Sequence, residues 1–296
     1  MTAGTSSSRR SPERDSSRLA TVSVDDERQL AYAEYGDPDG VPVVFLHGTP
    51  GSRRLGELFE SAARDRGVRL LAPDRPGFGR SAPWPDRSVG DADRFVEAVL
   101  DDAGARTAGL VAFSGGAPYA LAAAATLADR IERVDIAAGA TPPAVSEETP
   151  GIQRLLAGLA TTTPSLLRGL FRGQAWLADR LDPSFVVAQY TAEDGAESVP
   201  DEAAEIVRED FVEAFARHRR GAVTEFRNAT TDWGIDFDGI DAPVRLWHGE
   251  NDANVPLADV RRLEAEIPTA RLRVLDGADH VGALLRSRRD VLASHG

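Results

Sequence analysis

The chain has 296 residues, 42% hydrophobic and 27% charged, the balance of a globular fold long enough to bury a sizeable core. It has no cysteine, which excludes disulfides, thiolate metal ligands and a cysteine nucleophile. Asp+Glu outnumber Lys+Arg 47 to 34; the net charge of −13 repels polyphosphate backbones and argues against a nucleic-acid partner.

Every basic side chain is arginine, since lysine is absent. An acidic surplus with arginine in place of lysine suits a protein hydrated in concentrated salt, a halophilic reading; GC-rich codon usage is the alternative. No apolar run approaches the roughly 18 residues needed to cross a bilayer, so no membrane partner is expected.

Residues 1–17 are rich in Ser and Arg without apolar periodicity and read as a disordered tail. Arg9-Arg10 is followed by the charged run Ser11-Pro12-Glu13-Arg14-Asp15, where an export signal needs an apolar stretch. The expected location is therefore cytoplasmic.

Residues 19–24 and 29–34 alternate apolar and polar as strands with one wet face do, and the turn Gly36-Asp37-Pro38-Asp39-Gly40 follows. Runs at 41–46, 70–72, 108–113 and 134–137 are continuously apolar, as in parallel strands buried on both faces. Helical patterns at about 55–66, 89–100 and 117–128 separate them, which predicts an α/β fold with a mostly parallel twisted sheet flanked by helices. From about 141 to 228 the rhythm breaks. Helical patterns at 152–160, 174–181 and 202–216, separated by prolines, predict a helical cap inserted into a core of 18–140 and 229–296. The sheet then resumes at 244–247 and 272–275, with helices near 257–267 and from about 281.

The segment Ala108-Gly109-Leu110-Val111-Ala112-Phe113-Ser114-Gly115-Gly116-Ala117-Pro118 runs a buried strand into a serine and straight on into a helix. A serine on so sharp a turn needs φ > 0 and small residues two before and two after; here these are Ala112 and Gly116. The turn exposes the hydroxyl and places the Gly115 amide at a helix N-terminus, where it can stabilise developing negative charge. The plainer reading is a serine N-cap followed by a glycine pair.

Strand 41–46 ends in His47-Gly48-Thr49-Pro50-Gly51-Ser52, at the strand edge where ligands bind in open α/β sheets; the Thr49 amide is a candidate second oxyanion donor. His47 reads as a buried structural histidine. The loop Asp74-Arg75-Pro76-Gly77-Phe78-Gly79-Arg80-Ser81 lacks the phosphate-binding and dinucleotide spacings and reads as a turn bracing the site.

A serine nucleophile needs a base. His218 lies among arginines on an expected cap helix, His295 is penultimate and expected to fray, and His248 resembles His47 in its strand-end setting. His280, in Leu275-Asp276-Gly277-Ala278-Asp279-His280-Val281, has both a strand-end loop and small neighbours. The orienting carboxylate is best placed at Asp252, in His248-Gly249-Glu250-Asn251-Asp252, with Glu250 as runner-up; Asp276 and Asp279 suit caps or solvent better.

The chain order is Ser, Asp, His. With His47-Gly48-Thr49-Pro50-Gly51, Asp74 through Ser81, Ser114-Gly115-Gly116, His248 through Asp252 and Gly277 through His280 all in register, the chain resembles the α/β-hydrolase superfamily over about residues 18–292. One departure is Ala112, where the family usually has glycine. The resemblance implies Ser114 as nucleophile, His280 as base, Asp252 as orienter, amides of Thr49 and Gly115 as oxyanion donors, and no metal or organic cofactor. It also implies acyl transfer on a small-molecule substrate, an ester first. Alternatives are an aminopeptidase of the proline iminopeptidase type, with Glu193 and Asp194 available for a substrate ammonium, and a carbon–carbon bond hydrolase. A cofactor-independent peroxidase side activity stays open, and a non-catalytic ligand-binding protein would normally have lost part of the triad.

Overall fold

In the computed structural model, residues 18–147, 151–192 and 195–296 are described. The tail at 1–17 and the pair Glu193 and Asp194 lie outside them. Eight strands form one sheet: β1 (Arg18–Ser23), β2 (Gln29–Gly36), β3 (Val41–Leu46), β4 (Val68–Pro73), β5 (Ala108–Phe113), β6 (Ile131–Ala137), β7 (Val244–Gly249) and β8 (Ala270–Leu275). Their order is β1-β2-β4-β3-β5-β6-β7-β8; β2 runs antiparallel to both its neighbours and every other pair is parallel.

Helices α1 (Glu60–Asp65), α2 (Ala92–Asp102) and α3 (Ala117–Thr126) link the first parallel strands. Between β6 and β7 come α4 (Gly151–Thr162), α5 (Pro164–Ala178), α6 (Ser184–Val187), α7 (Asp201–Ala214) and α8 (Arg220–Asn228); α9 (Leu257–Glu266) and α10 (His280–Ala293) follow β7 and β8. Side chains alternate across the strands, so successive residues feed different layers. Val44, Leu46, Leu110 and Ala112 pack with Phe95 and Val99 of α2 and Leu263 of α9. Val43, Phe45, Val111 and Phe113 pack with Ala63 of α1, Leu284 of α10 and Phe211 of α7. Burial on both faces explains why these strands are continuously apolar.

The chain leaves β3 toward β4 on one side and reaches β5 on the other, so the order reverses at β3. At such a point the loops leaving the two central strands splay apart and open a crevice at their carboxyl ends. Those loops carry His47 through Ser52 and Ser114 through Gly116. Close approach here requires the absence of a side chain: a methyl on Gly116 would overlap the carbonyl oxygen of Leu46.

Three expectations need correction. Helix α5 starts at Pro164, ten residues before the expected 174, because proline at the first helical position lacks only an amide that would be unpaired anyway. His218 lies in the connection between α7 and α8, not on a helix. His295 is not frayed. Gly109, without a Cβ, leaves room for its ring, and its Nε2 lies 3.1 Å from Asp135 Oδ2 with the side chain 3% exposed. Asp135 also accepts from Trp247 Nε1 at 2.7 Å and from the Ser294 hydroxyl at 3.1 Å, so β6, β7 and the end of α10 meet at one buried carboxylate.

Gly116→Ala tests the close approach at the turn after β5. The overlap with Leu46 should cost about 1–3 kcal/mol, read as a lower urea midpoint at unchanged m. An unshifted midpoint would show that the backbone yields there freely.

Candidate active site

Ser114 follows β5 with φ of 50°, left-handed for a residue with a side chain. Its carbonyl accepts the Ala140 amide at 3.0 Å, and a 3-10 turn over Ser114–Gly116 leads directly into α3. This conformation lifts the hydroxyl off the sheet edge. There Ser114 Oγ lies 2.9 Å from His280 Nε2, and His280 Nδ1 lies 2.7 Å from Asp252 Oδ2.

Each partner is itself held. His280 opens α10, whose N-cap Asp279 accepts from Gly282 N at 2.7 Å through one oxygen and from Ala192 N at 3.2 Å through the other. Phe113 packs against the imidazole at 5.0 Å and Tyr190 stacks on it at 6.2 Å between ring centres. Asp252 Oδ1 accepts the amides of Asn254 and Val255 at 2.9 and 3.0 Å, which aims Oδ2 at the imidazole. Burial works to raise this carboxyl, but the charge and hydrogen bond of His280 outweigh it and hold Asp252 below the usual carboxylate range. With Nδ1–H donating to that carboxylate, Nε2 is left to accept from the serine hydroxyl.

The competing residues are elsewhere. Glu250 is exposed and accepts the Gly277 amide at 3.1 Å, Asp276 is exposed, and Asp279 is the cap of α10. His47 is fully buried, with Nδ1 donating to Gly48 O at 2.7 Å and Nε2 accepting from Arg75 N at 3.1 Å. Burial first, and then the Arg75 charge, push its pKa well below the ordinary imidazole value, so it is a neutral structural ring. His248 donates from Nε2 to Val255 O at 2.9 Å, and burial lowers it too. Among the described residues, no group of three or more His, Asp or Glu is arranged to hold a metal ion.

Across from the elbow, a Cβ on Gly115 would come within 3.2 Å of the Thr49 amide nitrogen, so the main chain at Thr49 runs close against Gly115. The hydroxyl of Thr49 donates to Glu225 of α8 and accepts from Arg75 Nη2 at 3.0 Å. Arg75 also donates to the carbonyls of His47 and Gly48, and pairs with Glu225 through Nε at 2.9 Å and Nη2 at 2.7 Å. Arg87 completes the cluster, 2.6 Å from Glu225 Oε1. The loop 74–81, expected to brace the site, thus does so mainly through one guanidinium.

Nothing in the sequence motifs pointed to Glu225. A faint signal existed, because α8 buries Ala222, Glu225 and Asn228 on one face, a stripe that contains a carboxylate where an apolar residue is usual. Burial would raise Glu225, but Arg75 and then Arg87 hold it down at about 2. Asp210 of α7 grips the other end of the same loop: its Oδ1 accepts from Ser52 N and Ser52 Oγ, both at 2.7 Å, and from Leu55 N at 3.1 Å. Here burial wins over those hydrogen bonds and raises the carboxyl to about 7.

A carboxylate whose pKa drops from 4.5 to about 2 on folding contributes about 3 kcal/mol, present above about pH 4.5 and lost as pH falls toward 2. Glu225→Gln should therefore be less stable than the parent by about that amount at pH 6–7, through stranding of buried arginines. The gap should close on acidification, as urea titrations at stepped pH would read. A constant gap down to pH 2 would show that the charge of Glu225 is not what matters.

Comparison with known proteins agrees with the fold and broadens the chemistry. The chain is 28% identical over 90% of its length and 91% of the partner's to the "2-hydroxy-6-oxononadienedioate/2-hydroxy-6-oxononatrienedioate hydrolase 2" of Pseudomonas putida. It is 29% identical to the non-heme chloroperoxidase CPO-A1 of Kitasatospora aureofaciens, over 85% of this chain and 88% of that one. The structure superposes on a bromoperoxidase from Bacillus anthracis with a TM-score of 0.73, covering 94% of this chain and 99% of the other at 21% identity, a likeness of fold. The match to the Alpha/beta hydrolase family runs over residues 43–295, from within β3 to beyond α10, and the chain belongs to that family.

Proposed function

We propose that the protein is a serine hydrolase that acts through an acyl-enzyme on a small ester-type substrate. The observation that carries this reading is the unbroken line from Asp252 Oδ2 through His280 to Ser114 Oγ, at 2.7 and 2.9 Å, on a serine with left-handed backbone. In the first step His280 Nε2 takes the hydroxyl proton as Ser114 Oγ attacks the substrate carbonyl. The amides of Gly115 and Thr49 stabilise the oxyanion. The imidazolium, held by Asp252, returns the proton to the leaving alcohol. Water deprotonated by the same nitrogen then attacks the acyl-enzyme, and the acid departs.

The Pseudomonas putida relative supports a second reading, in which the same serine centre cleaves a carbon–carbon bond beside a ketone. A family resemblance alone does not choose between the two, because sites rather than folds carry chemistry.

Incubation with a fluorophosphonate should add one phosphonyl group at Ser114. Ser114→Ala should lower kcat on short p-nitrophenyl esters by about 10⁴-fold or more, and Asp252→Asn by about 10⁴-fold, with folding intact. Running 2-hydroxy-6-oxononadienedioate beside the esters separates the two readings. Labelling at another residue, or undiminished turnover by Ser114→Ala, would overturn both.

A further inference from the structure

Among the described residues, ten large apolar side chains stand well out into solvent, and eight of them fall between 152 and 185. Apolar side chains exposed singly are ordinary, but a run of them on one segment marks a surface that meets something. Helix α5 carries most of that run. Its inner stripe, Leu167, Phe171 and Ala178, is buried in the core. The residue before each of these, Leu166, Leu170 and Leu177, belongs to a second stripe about 100° round the helix. These three leucines are 55%, 52% and 39% exposed. A Cβ on Gly169 or Gly173 would meet no atom within 4 Å, so the outer side is open along the helix. A helix apolar on two sides has the pattern of one covered on both.

The opposite edge of the outer face is basic. Arg168 and Arg172 stand one turn apart there, and Trp176 lies between them and the leucines. Trp176 is 56% exposed, whereas the chain's other three tryptophans are buried. The same chemistry continues in α4, which packs on α5 and exposes Ile152, Arg154 and Leu155. Together the two helices hold three arginines and no acid, in a chain of net charge −13.

A second copy of the chain matches this face poorly. A two-fold contact sets the arginine edge against itself when the helices run antiparallel, and over the leucines when they run parallel. An anionic lipid surface suits every part: headgroup phosphates for the arginines, acyl chains for the leucines, the boundary between them for the indole. Among the described residues no helix is long and apolar enough to cross a membrane. With 15 residues α5 spans only about 22 Å, so the contact runs along the surface.

We propose that the outer face of α5, with α4 beside it, docks the protein on an anionic lipid surface. This is a property of the two helices and does not depend on the chemistry at Ser114.

At about 0.1 M salt, where charges about 10 Å apart still act, the full chain should cosediment with vesicles of phosphatidylglycerol and phosphatidylcholine in equal parts. Affinity for pure phosphatidylcholine vesicles should be lower by about tenfold or more. On binding, Trp176 should shift its emission to the blue and become protected from acrylamide. Arg168→Gln with Arg172→Gln should bring the affinity down to the phosphatidylcholine level. Leu166→Ser with Leu170→Ser should abolish binding, while Leu19→Ser, at an exposed leucine of β1, should leave it unchanged. Melting temperatures equal to the parent's establish that the variants fold; if they do not, acrylamide protection of the parent decides. Absence of both cosedimentation and protection with the mixed vesicles overturns the proposal. Binding that is indifferent to phosphatidylglycerol, or that survives both paired variants, overturns it as well. A dimer that Leu166→Ser with Leu170→Ser dissociates, without vesicle binding, overturns it in favour of a second copy.

Discussion

A serine held at a φ of 50° is the constraint around which the rest of the molecule is arranged. Such a backbone costs about 1–3 kcal/mol for a residue with a Cβ and persists only where its surroundings leave no relaxed alternative. β5 is buried along its whole length and cannot shift, and the Ala140 amide holds the Ser114 carbonyl. Gly116 lies directly against the end of β3. The strain puts the hydroxyl at the imidazole and the Gly115 main chain against Thr49. Relaxing it would separate them.

The interior carries more charge than an apolar core needs. Glu225 meets Arg75 and Arg87, and Asp74 meets Arg53 at 2.8 Å, all but out of reach of water. Buried ion pairs often add little stability over well-packed apolar residues of the same volume, while losing one partner costs about 3–5 kcal/mol. Their effect here is geometric. The Arg75 guanidinium, with several fixed donors, holds the carbonyls of His47 and Gly48 at set positions, which a greasy contact cannot do. The loop that presents the Thr49 amide is thus gripped by α8 at its middle and by α7 at its far end.

Legibility from sequence tracked how local each cause was. β5 could be read to the residue, because six apolar residues end abruptly at Ser-Gly-Gly and the turn chemistry is written in those neighbours. The three loops that hold Ser114, Asp252 and His280 were legible because parallel strands deliver their carboxyl ends to one edge. Asp210 and Glu225 were not. Their partners lie 158 and 150 residues away, and on a helix a carboxylate destined for burial resembles one destined for solvent. His295 was misread for the same reason: what orders it is the missing side chain of Gly109, far upstream. From sequence Pro164 reads as a separator between helices, although proline opens helices as readily as it ends them.

The ionic grip on the loop after β3 also bears on how this scaffold could be re-engineered or diversify. Replacing α7 and α8 wholesale with helices from a relative would remove two acids whose basic and hydroxyl partners stay behind in the core. Transplanted helices would then unsettle the loop after β3 before they met any new partner. Recombination at this junction preserves the grip only where the carboxylates at 210 and 225 keep their partners at 49, 52, 55, 75 and 87.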